Sequence, residues 1–248
     1  MGPLTNRATN LWGRVSQLAG GLPAGFVDSA FASLGNFAAG LAAVNLLSDT
    51  DRGVYGVFFA AFIVGSTFPH NLVFLPSQVY AVSRAKSEQL SHLGRTLLLG
   101  AVVALVGSLA ILAAALATAH ETTFEVTLAL TITASLNLAA STGQDNTRRM
   151  LHIRGFHWSA AAMSMVQFLV VTTVLLVMIF LDVPVAWIPF GSLIIANTLS
   201  SAFGWVRAGG LGRWAEPAEL KARALFRSGR WLLVQALVPT GAQFIAAA

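Results

Sequence analysis

The side chains with chemical potential in this chain are the polar ones set inside apolar runs. Asp28 opens one such run, residues 28–47 (DSAFASLGNFAAGLAAVNLL), in which Ser29, Ser33, Asn36 and Gly40 recur at intervals of four, three and four. On a helix that spacing gathers them into one stripe, which lipid would reject. His70 and Asn71 follow Pro69 in a second apolar run. In a fourth run Asn137, Ser141, Gln144 and Arg148 repeat at helical spacing, with Arg149 adjacent. A carboxylate in a span costs on the order of 3 kcal/mol at the bilayer centre and is by default a functional group. Asp28 is therefore the ion-coupling candidate, for a proton or a sodium ion. A second reading makes it a structural acid: it lies only about 8 Å beyond Pro23 at 1.5 Å per residue, where a helix N-terminus favours negative charge.

The other candidates carry paired readings too. Asn36, deeper in its span, either lines a cavity or makes an interhelical hydrogen bond. His70 either titrates near physiological pH and gates transport or bonds the carbonyl that Pro69 frees. Arg148 and Arg149 either hold a phosphate through paired N–H donors or anchor the helix end among headgroups. Ser29, Ser33, Asn36, His70, Asn71, Asn137, Arg148 and Arg149 make up the expected substrate-binding set. No enzyme signature accompanies them: GxSxG, HExxH and the Walker A loop are missing, and cysteine is absent. His152 and His157 stand five apart, which on one helix turns them to different sides. No catalytic residue, metal site or cofactor is expected. The acidic pairs Asp49/Asp51 and Glu121/Glu125 read as solvated residues of outer turns.

What positions these groups follows from composition. Of the 248 residues 56% are hydrophobic and 10% charged, against about 25% charged in a soluble domain. The pattern predicts an all-α integral membrane protein, with six transmembrane helices forming one lobe (23–206) and the start of a seventh (231–248). Before the first span, residues 1–22 form a cytoplasmic segment, either a short interfacial helix on Leu4, Leu11, Val15 and Leu18 or a tail, broken at Gly20, Gly21 and Pro23. The second span, 53–82, contains Pro69 and Pro76 and is expected to kink or unwind. The third, 96–119, has almost no polar content and is expected to face lipid or to serve as plain packing. The fourth covers 124–143, a polar connection 144–158, the fifth 159–181 and the sixth 185–206; a basic connection fills 207–230. Of the 15 Lys and Arg residues, only Arg52 falls outside the N-terminus and the segments after even-numbered spans. The positive-inside rule then puts the N-terminus in the cytoplasm of a multi-pass protein of the cytoplasmic membrane. The net charge of +5 is thus a topological signal, not one for nucleic acid, with anionic headgroups as a secondary contact.

The run 27–62 (VDSAFASLGNFAAGLAAVNLLSDTDRGVYGVFFAAF) resembles the opening two spans of polysaccharide-type flippases in the multidrug/oligosaccharidyl-lipid/polysaccharide exporter superfamily. The likeness rests on Asp28, Ser29, the SLGNF at 33–37, the acidic turn at 49–52 and the GVYG at 53–56. LPSQV at 75–79 and the paired-arginine stretch QDNTRRMLHIRG at 144–155 are similar to later parts of the same lobe. The resemblance implies two six-span lobes, export of lipid-linked oligosaccharide or polysaccharide precursors by alternating access, and no enzymatic activity. Polar faces of the first, second and fourth spans would line the cavity, the arginines would draw in the diphosphate, and the prolines would act as hinges. Implied partners are the bilayer, the lipid-linked saccharide, a second lobe and polysaccharide synthesis enzymes. With one lobe and the start of another, the chain is expected to be a fragment of a two-lobe protein. Two alternatives stand beside this: a drug or small-molecule antiporter of the same superfamily, which an aromatic, acid-rich cavity would favour, and a non-transporting scaffold for synthesis enzymes.

Overall fold

The computed structural model describes residues 3–209 and 222–247, with side chains from residue 21 to 239 apart from residues 86, 87, 90 and 93. The described residues form helices and no strand. Six helical segments are long and apolar enough to cross a bilayer: 21–46, 49–82, 94–118, 124–153, 157–180 and 185–207. The chain is an all-α, multi-pass membrane protein.

Helix α1 (Pro3–Leu46) runs without interruption through Pro23, so the expected break at residues 20–23 does not occur. Pro23 is exposed whereas Ala24 is buried; the carbonyl that Pro23 leaves unbonded therefore faces outward, where water or headgroups satisfy it. The second span comprises α2 (Asp49–Pro69), a π-helical turn (His70–Phe74) and α3 (Leu75–Val82). The expected kink takes the form of this π turn, in which Leu75 N–H donates to His70 O, five residues back. Ser48 caps α2 by accepting from Asp51 N–H at 3.2 Å.

Helix α4 (Lys86–Thr118) carries the third span. Its Leu98, Val102, Leu105, Leu109, Leu112 and Leu116 are exposed while Ala104, Ile111 and Ala115 are buried, so it both faces outward and packs inward. With no hydrophobic drive between helices in lipid, close backbone approach has to supply the adhesion. Gly65 of α2 and Gly107 of α4 provide it: a Cβ on Gly65 would lie 2.7 Å from Gly107 O. Gly204 makes room for Met163 in the same way.

Helix α5 (Phe124–Ile153) continues past the expected end at residue 143, so most of the predicted polar connection is helical. Ion pairs from Asp145 to Arg148 and to Arg149, each 2.7 Å, support this extension at the three- and four-residue spacings a helix rewards. The turn comes at Gly155, whose φ of +83° suits a residue without Cβ. Helix α6 (His157–Phe180), a 3₁₀ turn (Val185–Trp187) and α7 (Ile188–Arg207) complete the six spans. Helix α8 (Ala222–Ala247) starts inside the stretch expected to be a basic connection; residues 210–221 of that stretch lie outside the described residues.

Helix α1 packs on α6, α2 on α4, and α5 and α7 join the two halves. Phe58, Ile111, Leu130, Leu138 and Phe190, none more than 1% exposed, fill the shared core.

Candidate functional site

A cleft of about 370 Å³ opens between α1, α2, α5, α6 and α7, within the usual small-molecule range of about 300–1,000 Å³. One wall is a chain of four amides. Gln144 Nε2 donates to Gln167 Oε1 at 3.1 Å, Gln167 Nε2 to Asn197 Oδ1 at 2.8 Å, and Asn197 Nδ2 to Asn137 Oδ1 at 3.0 Å. Each residue is at most 5% exposed, so each amide must find a partner, and the chain links α5, α6 and α7 by doing so. Facing them are Tyr55, Phe59 and Phe62 of α2, whose rings sit 5.1 to 6.2 Å from one another or from Phe190.

The charged end of the cleft is built on α1, α5 and α6. Asp28, 5% exposed, accepts from Ser164 Oγ, from Arg148 at 3.4 Å and from His152 Nε2 at 2.9 Å. Arg148 also donates to Asp145 Oδ1 at 2.7 Å, and Arg149 Nε to Asp145 Oδ2 at 2.7 Å. His70 Nδ1 stands 3.9 Å from Asp145 Oδ2. His152 Nδ1 meets His157 Nδ1 at 3.1 Å. Two carboxylates thus balance two guanidiniums, with three imidazoles at the margin.

The expected substrate-binding residues divide accordingly. Asn36, His70, Asn137 and Arg148 line the cleft. Ser29 and Ser33 are exposed and lie outside its lining. Asn71 is buried in the π turn, donating to Thr67 O at 2.9 Å. Its backbone carbonyl is tight against α8, where a Cβ on Gly229 would come within 2.6 Å of it; it is a packing residue. Arg149 sits at the rim, tied to Asp145. Asp28 lies just behind the lining, joined to the cleft through Arg148. The arginines do not stand ready for a phosphate as expected, because the carboxylates of Asp28 and Asp145 already occupy Arg148.

The two histidines that the sequence separates are in contact. They belong to two helices, and the turn at Gly155 folds one onto the other. Asp145, Ser164, Gln167 and Asn197 are further members of the site that single-span patterning missed. Asp145 was accessible from its spacing to Arg148 and Arg149 once the helix was extended; Ser164, Gln167 and Asn197 depend on how α6 and α7 pack.

The arrangement can do two things chemically. Amides and hydroxyls facing aromatic rings suit a polar, uncharged solute with apolar C–H faces. The carboxylate–guanidinium–imidazole cluster suits proton exchange that alters what the cleft presents. Among the described residues no group of three or more His, Cys, Asp or Glu side chains could hold a metal. No protein-family model, curated protein or solved structure matches this chain.

Proposed function

We propose that this chain is a lobe of a polysaccharide-type flippase of the multidrug/oligosaccharidyl-lipid/polysaccharide exporter superfamily, a transporter and not an enzyme. It carries the headgroup of a lipid-linked oligosaccharide or polysaccharide precursor out across the cytoplasmic membrane by alternating access, with its N-terminus in the cytoplasm. The observation that carries this reading is the cleft inside a six-span bundle, walled by the amides of Asn137, Gln144, Gln167 and Asn197 on one side and by aromatic rings on the other. Sugars present hydroxyls to amides and C–H faces to rings, while the lipid tail stays in the bilayer. The segregation of basic residues and the resemblance at 27–62 support the same assignment.

One observation favours a second reading, a small-molecule antiporter of the same superfamily. Tyr55, Phe59, Phe62 and Asp145 all line the cleft, and rings beside a carboxylate suit a cationic amphiphile. Proteoliposomes holding the chain and a fluorescent lipid-linked saccharide separate the two. The flippase reading expects headgroup translocation that falls about tenfold in Asn137→Ala and in Asn197→Ala, the equivalent of one lost hydrogen bond near 1.4 kcal/mol. Absence of translocation by the parent chain, with uptake of a lipophilic cation in its place, overturns it in favour of the antiporter.

A further inference from the structure

Asp28 is enclosed by donors of unequal ability. Its Oδ1 accepts from Ser164 and Arg148, and its Oδ2 from His152 Nε2. A serine hydroxyl is no acid, and a guanidinium keeps its protons in proteins. Among its described partners only His152 can hand Asp28 a proton. His152 in turn touches His157 Nδ1-to-Nδ1 at 3.1 Å, and a hydrogen bond between two like ring nitrogens needs one N–H and one lone pair. With His152 Nε2–H donating to Asp28, His152 Nδ1 is the acceptor of that bond and His157 Nδ1–H its donor. His157 Nε2 is then left with a lone pair, on a partly exposed residue at the start of α6.

We infer that His157 and His152 form a proton wire ending on Asp28, and that loading Asp28 releases Arg148 into the cleft. A proton arrives at His157 Nε2; the proton of His157 Nδ1 passes to His152 Nδ1; the proton of His152 Nε2 passes to Asp28 Oδ2. One proton has entered, the charge of the cluster has risen by one, both imidazoles are neutral in the opposite tautomer, and Asp28 is a carboxylic acid. The reverse hops reset the wire. The charged groups around it are Arg148, Asp145 and Arg149 of α5, with His70 of α2 3.9 Å from Asp145. Arg148 opposes the incoming proton and Asp145 offsets Arg148. Once Asp28 is neutral, Arg148 keeps only Asp145 as a charged partner and gains capacity for an anionic group in the cleft. Only this last consequence rests on the transport reading.

The test follows proton arrival by infrared difference spectroscopy on the full chain in proteoliposomes after a pH drop, taking as signal the carboxylic-acid band that Asp28→Asn removes. The expected result is a band that rises at least about tenfold more slowly in His157→Phe and in His157→Ala, with free imidazole restoring the rate in His157→Ala. His152→Gln, whose amide still donates to Asp28 but carries no transferable proton, slows it equally. No Asp28-dependent band down to about pH 4, near the ordinary carboxylate range, overturns the inference. Equal rates in the parent and both His157 variants overturn it as well. Because the readout is a proton and not a headgroup, a failure of saccharide translocation leaves it intact, and the converse also holds.

Discussion

Replacing Gly65 by alanine tests whether backbone contact between α2 and α4 holds this bundle together. The new Cβ would stand 2.7 Å from Gly107 O and 2.5 Å from Leu138 Cδ1, where ordinary contact begins at 3.4 Å. Leu138 can turn a methyl aside; a helical carbonyl cannot, so the helices must part by about 0.7 Å. A radial gap of about 0.5–1 Å forfeits a quarter to a half of each dispersion well along the seam, and overpacking of this kind costs about 1–3 kcal/mol. Alanine in a helix also returns about 0.5–1 kcal/mol over glycine. Gly40→Ala is the control for that term, since a Cβ there meets nothing within 4 Å. The stability difference between the two variants isolates the packing cost, expected at about 1–3 kcal/mol in reversible unfolding of the detergent-solubilised protein followed by circular dichroism. Adding Leu138→Ala should not rescue Gly65→Ala, because the clash with the Gly107 carbonyl remains. Equal stability of Gly65→Ala and Gly40→Ala would refute the reasoning.

A second prediction concerns pH. His92 is 1% exposed, with Nε2 3.1 Å from Ser77 Oγ, and burial together with the charge of Arg84 holds its pKa below the usual 6.5. The unfolded chain therefore takes up the proton more readily, so the contribution of His92 is intact above about pH 6.5 and is lost as pH falls through the lower folded value. Melting curves between neutral and acid pH should show a smaller loss in His92→Gln than in the parent. A third prediction uses the absence of cysteine: Ser83→Cys and Asp182→Cys each introduce a unique thiol on turns at opposite ends of the spans. A membrane-impermeant maleimide applied outside intact cells should label Asp182→Cys and spare Ser83→Cys, and the reverse pattern would invert the proposed orientation.

The six spans were legible because apolar length and proline or glycine punctuation are local signals. So was the cleft face of α5: Asn137, Ser141, Gln144 and Arg148 form one stripe whatever packs beside them, and all four line the cleft. The face of α1 was not legible in the same way. Ser29, Ser33 and Asn36 share a stripe, but α6 covers the neighbouring one, burying Asp28, Gly35 and Ala39; which stripe is covered is a property of α6, not of α1. The extent of α5 was misjudged because polarity was equated with a loop, although Asp145, Arg148, Arg149 and His152 keep helical spacing. Gly155, following a basic residue as helix-ending glycines often do, was the signal that His152 and His157 belong to different helices. The break expected at residues 20–23 failed because Pro23 points outward, which its own stretch of sequence does not reveal.

The π turn at His70–Phe74 has a bearing on length variation. An α-helix turns about 100° per residue, and a π turn holds one residue that an α-helical turn would omit. Deleting a single residue there would barely shorten the span, yet it would swing all of α3 through about 100° relative to α2. Gln78 would leave Asn146, which it now reaches at 3.0 Å, and Ser77 would leave His92. His70, on the N-terminal side, would keep its place at the cleft. The turn thus acts as an angular coupling between two halves of one span, so aligned sequences that differ by one residue in this stretch would differ in the rotation of α3 rather than in the depth of the membrane crossing.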